Sequence, residues 1–206
     1  MPIGDLAPEI AVLLTAVAVV LGAMVLPQAR HGLAAWGALA GLAVAAGLAL
    51  RQLGAHRATF SGTFALDDGT DAARLAILAS TAVCVGLSPR WFATDRRHAE
   101  FYAVLLFSAL GAMAMAGAAD LMQLVMGVLL SSITGYTLAA YHRDWAPSLE
   151  AGLKYFLLGA LANALMVVGV ALLMGGSGDT AYAALARTPP DGPLGLSGLA
   201  MVLAGL

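Results

Sequence analysis

One lysine occurs in the 206-residue chain, Lys154, within "LEAGLKYFLLGA" (149–160), a run otherwise dominated by leucine, alanine, glycine and aromatics. A desolvated lysine amine gives up its proton more readily than one in water, which makes it a usable relay. Ionisable groups in membrane helices mostly face a bundle interior and mark ion or proton routes. A plainer account stands beside this one. Glu150 precedes Lys154 by four residues, the favourable order for an exposed helical ion pair. A lysine a turn or two inside a membrane edge also snorkels its charge toward the headgroups. Position alone favours snorkelling, yet Lys154 is the candidate proton-path residue and Glu150 its candidate support.

The stretch "DLMQLVMGVLLSSITGYTLAAY" (120–141) is the second unusual one. Gly127, Ser131 and Gly135 recur every four residues, a small-residue stripe that lets helices approach closely. Gln123, Ser132, Thr134 and Thr137 add hydrogen-bonding groups that can support water but do not titrate. Packing is the default reading and a hydrated polar path the lesser one. Asn163 shares a face with Gly159 and is expected to bond across a helix interface. Asp120 and Ser148 are expected to cap the helices that follow them. His142, beside Arg143 and Asp144, could shuttle protons, although a solvated loop residue is the simpler account.

Other chemistries find little support. Cys84 is the single cysteine, which excludes an internal disulfide framework and a cysteine-based metal cage. His31, His56 and His98 have no partner at metal-ligand spacing. "DDGTD" (67–71) lacks the calcium-loop pattern, and "GGSGD" (175–179) lacks the lysine of a phosphate loop. Beyond Arg96-Arg97-His98 there is no basic cluster, so a nucleic-acid surface is not expected.

The elements that must position these residues are membrane helices. Hydrophobic residues make up 61% of the chain and charged residues 11%, against about 45–50% and about 25% in soluble domains. The excess falls in runs near the roughly 20 residues that a bilayer needs. Segments are expected from about Pro8 to Leu26 (stopped by Pro27), Gly32 to Leu50, Leu75 to Leu87 with its flanks (closed by Ser88-Pro89), Phe101 to Ala118, Leu121 to Tyr141 and Leu149 to Met174. A seventh begins near Leu194. Between the second and third, "RQLGAHRATFSGTFALDDGTDAAR" reads as a short hairpin. The N-terminus lacks the basic region of a signal peptide, so the first run is expected to be a retained helix. Roughly thirteen residues of the last run would rise only about 20 Å, so the chain is expected to be truncated. The expected fold is an all-α bundle of about six complete helices plus a partial seventh, divided into residues 1–98 and 99–206.

Arginines after the odd segments (Arg30, Arg90, Arg96, Arg97, Arg143) slightly outweigh those on the other side (Arg51, Arg57, Arg74, Arg187). The latter side holds most acids: Asp5, Glu9, Asp67, Asp68, Asp71, Asp120, Asp179 and Asp191. The positive-inside tendency then places the N-terminus outside.

"SLEAGLKYFLLGA" (148–160), "AEFYAVLLFSALGAMAMAGAADLMQLVMG" (99–127) and "LLMGGSGDT" (172–180) resemble subunit N of bacterial NADH-quinone oxidoreductase, respiratory complex I. The resemblance covers about Arg74 to Leu206; the first two helices match only in hydropathy and order. It implies the N-terminal part of a fourteen-helix fold with two inverted five-helix repeats, the first comprising helices four to eight. It also implies a bacterial inner-membrane location, a periplasmic N-terminus and the other membrane subunits as partners. Protons would cross by a helix-five glutamate and by lysines of helices seven, eight and twelve, with a helix-six lysine nearby. NAD, FMN, iron–sulfur clusters and quinone would be held by other subunits, with none in this chain.

This sequence departs from that pattern. Where the family reads like "LGLELMSL", the chain has "MGVLLSSI", which puts Leu129 at the glutamate position. The helix-seven lysine would follow Leu206, so Lys154 alone of the titratable set is present. The resemblance therefore implies a proton-pump subunit whose path is incomplete in this chain. Two other readings stay open: a degenerate structural or assembly paralogue, and a subunit of an Mrp-type antiporter or membrane-bound hydrogenase. A glutamate restored at position 129 of the full-length parent separates the proton-pump reading from the degenerate paralogue.

Overall fold

The structure is a computed structural model that describes residues 3–25, 32–91, 98–187, 189–190 and 192–206. Among these, six helices are long and apolar enough to cross a membrane. They are α1 (Ala7–Val25), α2 (Gly32–Gln52), α3 (Asp68–Trp91), α4 (His98–Ala116), α5 (Leu121–Ala139) and α6 (Ala146–Ser177). A short α7 (Tyr182–Arg187), not foreseen, precedes α8 (Pro193–Gly205), the seventh apolar segment. The expected stop at Leu26-Pro27, His31 and the Arg96-Arg97 run lie outside the described residues.

The polar stretch after α2 forms the expected hairpin. Strands β1 (Arg57–Thr59) and β2 (Phe64–Leu66) are antiparallel, with Arg57 opposite Leu66 and Thr59 opposite Phe64. Its turn passes through positive φ at Phe60, Ser61 and Gly62 (52°, 60° and 89°), where only glycine avoids a steric cost. Asp67 then caps α3 by accepting a hydrogen bond from the Thr70 backbone N–H at 2.7 Å. That bond holds the Asp67 carboxyl below its ordinary range.

Helices α3 and α6 differ most from expectation, and α3 already begins at Asp68, inside the stretch read as polar loop. Helix α3 runs through Ser88-Pro89 to Trp91. A proline in the last turn removes only one intrahelical donor, and the Ser88 hydroxyl donates to the Cys84 carbonyl. Helix α6 starts at Ala146, with Trp145 at the N-cap and Pro147 in the first turn, where its missing N–H costs nothing. Ser148 is thus inside the helix and does not cap it. Its hydroxyl donates to the Ala139 carbonyl at 2.8 Å, tying α6 to the end of α5. The helix closes on Gly178 in the left-handed region (φ 77°). Its 32 residues rise about 48 Å, well beyond an apolar core about 30 Å thick.

Two apolar clusters result. Val12 and Ala16 of α1, Leu42 and Ala45 of α2, Leu78 and Val85 of α3, and Tyr102 and Leu106 of α4 form the first. Leu121 and Val125 of α5, Met166 and Val170 of α6, and Val202 of α8 form the second. The α4–α5 crossing joins them through glycine: a Cβ on Gly111 would lie 2.7 Å from the Ser131 nitrogen and 3.0 Å from the Gly127 carbonyl oxygen. Helix α4 lies beyond the expected division at residue 98, yet its buried face belongs to the cluster of the first three helices.

Loops at one end of the bundle are stitched together. Ala65 N–H donates to the Gly117 carbonyl, Ala119 N–H to that of Thr63, Leu121 N–H to that of Thr180, and Tyr182 N–H to that of Ala119. The hairpin, the α4–α5 turn and the α6–α7 loop therefore share this rim, as do the start of α1 and the end of α2, where Gln52 Nε2 donates to the Gly4 carbonyl. At the opposite end the Trp91 indole donates to His142 Nε2 at 3.3 Å.

Candidate functional site

Helix α6 starts at the Trp91–His142 end and carries Lys154 in its third turn. The buried positions of α6 include Gly152, Asn163, Met166, Gly169, Val170 and Leu173. Lys154 follows Gly152 by two residues, about 200° around the helix, and so points away from α5 and α8. Its side chain is 70% exposed, that of its partner Glu150 65%. The ammonium donates to Glu150 Oε1, one helical turn earlier, and the pair is flanked by exposed Leu153, Leu157, Leu158 and Leu161. An exposed pair of this type contributes little to stability. Glu150→Gln should therefore leave the thermal midpoint of the detergent-solubilised chain unchanged; a loss of several degrees would show that the pair is shielded.

The small-residue stripe of α5 meets two different neighbours. Gly127 faces α4, where an added Cβ would lie 2.8 Å from the Met115 nitrogen, and the Ser131 backbone packs on Gly111. Gly135 faces α6, where its Cβ would lie 3.2 Å from the Tyr155 hydroxyl. Gly159 of α6 accommodates Tyr136, whose ring would meet a Cβ there at 2.7 Å. Asn163 Nδ2 donates to the Tyr136 hydroxyl at 3.3 Å across the α5–α6 interface. Thr134 is buried and donates its hydroxyl to the Leu130 and Ser131 carbonyls of its own helix, both at 2.9 Å. Ser132 is half-buried on the same helix. His142 lies at the end of α5 with the Trp91 indole, remote from these groups. Asp120 caps α5 as expected: Oδ1 accepts from Met122 N–H at 2.7 Å, and Oδ2 from the Thr180 hydroxyl at 2.6 Å. Burial, and secondarily the Asp120 carboxylate, push the nearby Tyr182 phenol above its ordinary value.

These contacts fix the relative heights of Leu129 and Lys154. Helices α5 and α6 run antiparallel, with Ala140 against Gly152, Gly135 against Tyr155, and Tyr136 against Gly159 and Asn163. Lys154 is thus level with about residue 140 of α5. Leu129 lies about eleven residues further along, roughly 16 Å away along the axis. Leu129 packs against the α5–α6–α8 cluster of Val125, Met166, Val170 and Val202. Helix α8 reaches the same height: a Cβ on Gly205 would lie 2.5 Å from the Ala162 carbonyl oxygen. The structure therefore does not bring Lys154 and position 129 together.

A polar cluster at the rim went unrecognised in the sequence. Arg74 is wholly buried. Its Nε donates to Glu9 Oε1 at 2.7 Å, Nη1 to Gln52 Oε1 at 3.1 Å and Nη2 to the Asp5 carbonyl at 3.3 Å. Its guanidinium carbon lies 5.2 Å from the centre of the Phe64 ring. Asp71 Oδ1 is 3.5 Å from Nη1, and Arg57 pairs with the Asp5 carboxylate. The available signal was Asp71 and Arg74 three residues apart in the first turns of an apolar helix.

Comparison with known proteins places this architecture. Residues 118–206 match the family described as NADH:quinone oxidoreductase/Mrp antiporter, TM. The chain is 42% identical over 171 residues to NADH-quinone oxidoreductase subunit N of Sphingopyxis alaskensis, covering 82% of this chain and 36% of that protein. It is 39% identical over 207 residues to subunit N 1 of Streptomyces griseus, covering 98% of this chain and 43% of that protein. The chain thus spans about two-fifths of the length of these relatives. A chain of respiratory complex I from Thermus thermophilus superposes with a TM-score of 0.80 at 31% identity, over 96% of this chain and 42% of its own length. A chain of the membrane-bound sulfane sulfur reductase, an archaeal respiratory membrane complex, shares the fold at a TM-score of 0.83 and 21% identity, over 100% of this chain and 44% of its own. Residues 118–206 thus match the NADH:quinone oxidoreductase/Mrp antiporter family, and over most of its length the chain is similar to subunit N of NADH-quinone oxidoreductase.

Proposed function

We propose that this chain serves in the membrane arm of a complex-I-type, proton-translocating NADH:quinone oxidoreductase of a bacterial inner membrane. Its N-terminus lies on the periplasmic side, its partners are other membrane subunits and the lipid bilayer, and the translocated species is the proton. NAD, FMN, iron–sulfur clusters and quinone are bound by other subunits. The observation that carries this reading is the 31% identity with a complex I chain, sustained at a TM-score of 0.80 over 96% of the sequence. Affinity purification of the tagged chain from its host membrane in mild detergent tests it. NADH:quinone reductase activity should co-purify; a chain recovered without that activity overturns the proposal.

The site assigns this chain only part of the proton route. Lys154 faces outward with Glu150, so a relay through it needs a polar partner contributed by a neighbouring element or subunit. Tyr136 and Asn163 bond each other, and Thr134 bonds its own helix, which leaves none of them as a free carrier. Leu129 presents no charge. The chain reconstituted alone in liposomes should therefore pass no protons above empty-vesicle controls under an imposed pH gradient, and flux well above those controls would contradict this.

Leu129 also favours a second reading, a paralogue that keeps the fold as a structural or assembly element. In that case the chain co-purifies with the complex, but removing it lowers the amount of assembled complex and leaves the proton yield per NADH unchanged.

A further inference from the structure

The rim cluster around Arg74 has an unbalanced charge. Its charged groups come from four elements: Asp5 from the turn before α1, Glu9 from α1, Arg57 from β1, and Asp71 and Arg74 from α3. Helix α2 contributes the neutral Gln52, and β2 the Phe64 ring. Among the described residues, three carboxylates therefore face two guanidiniums. The side chains of Arg74, Asp71 and Glu9 are 0%, 1% and 8% exposed, so water does not screen the excess. Arg57 is engaged by Asp5, which leaves Arg74 alone for Glu9 and Asp71.

The hydrogen bonds are also incomplete. Arg74 directs Nε to Glu9, Nη1 to Gln52 and Nη2 to the Asp5 carbonyl. Among the described residues, both Asp71 oxygens, Glu9 Oε2 and Asp5 Oδ2 are buried without a hydrogen-bond partner. These are acceptors with no donor. A buried carboxylate short of counter-charge and hydrogen bonds is held more cheaply as the neutral acid, and two carboxylates sharing one cation do not both ionise readily.

We propose that Glu9 and Asp71 hold one proton between them at neutral pH, making the Arg74 cluster a proton-binding site at the end of the bundle opposite Lys154. One proton brings the five charged groups to neutrality and supplies the missing O–H donor. The site belongs to the pair: neutralising either member leaves the other as an ordinary carboxylate against Arg74, with no further need of a proton. Releasing the proton would leave one uncompensated negative charge between Glu9 of α1 and Asp71 of α3.

Infrared spectroscopy of the full chain in lipid nanodiscs tests this. At pH 7 the carbonyl stretch of a buried un-ionised carboxylic acid, recognised by its downshift in D2O, should be present in the native chain. It should vanish in Asp71→Asn and equally in Glu9→Gln, while Asp120→Asn retains it. A band absent from the native chain, or one that survives either rim substitution, overturns the proposal. Thermal unfolding gives an independent readout that holds if one variant fails to fold. The folded state carries one more proton than the unfolded state at neutral pH, so its stability is fully present in acid and is lost as pH rises. The folding equilibrium should weaken by up to about tenfold per pH unit. The exposed His56–Asp68 contact is untouched by either substitution, so the difference between the native chain and either variant isolates the rim pair. Identical pH slopes in both foldable variants and the native chain would overturn the proposal as well.

Discussion

Replacing Arg74 by alanine should destabilise the chain more than any other single side-chain truncation at the rim. The guanidinium is wholly buried and meets a 3-10 turn and three helices, donating to Glu9 and Gln52 side chains and to the Asp5 carbonyl. Truncation leaves Glu9 and Asp71 buried with no counter-charge and strips the Phe64 ring of its cation. Breaking a buried pair from one side costs about 3–5 kcal/mol, which for a chain of this size corresponds to about 6–20 °C in thermal midpoint. Arg74→Lys should fall between, because a point-charge ammonium retains the charge but not the forked, stacked geometry. Glu9→Gln in the Arg74→Ala background should recover part of the loss by removing a stranded charge. Scanning fluorimetry of the purified chain in detergent checks the series; an Arg74→Ala midpoint equal to the native one would show that water reaches the cluster.

Why this cluster escaped the sequence while Lys154 did not is a matter of chain separation. Glu150 and Lys154 are four residues apart, so helix geometry alone pairs them. Arg74 finds its partners 22, 65 and 69 residues away, and no local period encodes such a meeting. Asp5, Glu9, Asp71 and Arg74 consequently read only as separate charges on the outer side. Ser148 shows the same limit in reverse. Its type and place fit a helix cap, but the hydroxyl is taken by Ala139 of the preceding helix, a tertiary contact that overrides the local preference. The helices themselves were legible because apolar length and the punctuation by glycine, proline and charge are local properties. The hairpin was legible for a similar reason, since its two strands are separated only by Phe60–Thr63. The small-residue stripe of α5 marked close packing, but only the fold shows that Gly127 and Ser131 serve α4 whereas Gly135 serves α6.

Installing a glutamate in place of Leu129 should weaken the chain without creating a proton route in it. The position is half-buried and packs on the cluster of Val125, Met166, Val170 and Val202 from α5, α6 and α8. Lys154 provides no compensating charge: it is roughly 16 Å away along the bundle axis and on the outward face of α6, 70% exposed. A new carboxyl there gains neither cation nor hydrogen bond from these neighbours, and at this half-buried position the cost lies at the low end of the range for an unpartnered polar group, about 1 kcal/mol, or about 2–4 °C of thermal midpoint. Held as the neutral acid in the fold and ionised when unfolded, it should deepen the deficit as pH rises above the carboxylate range. Proton flux in liposomes should stay at the level of empty vesicles for both the native chain and Leu129→Glu. Restored flux would mean that a single carboxylate at this height completes a path inside the chain. An unchanged midpoint at both pH 5 and pH 8 would mean that the three-helix contact already holds water, and that position 129 is one step from a working relay.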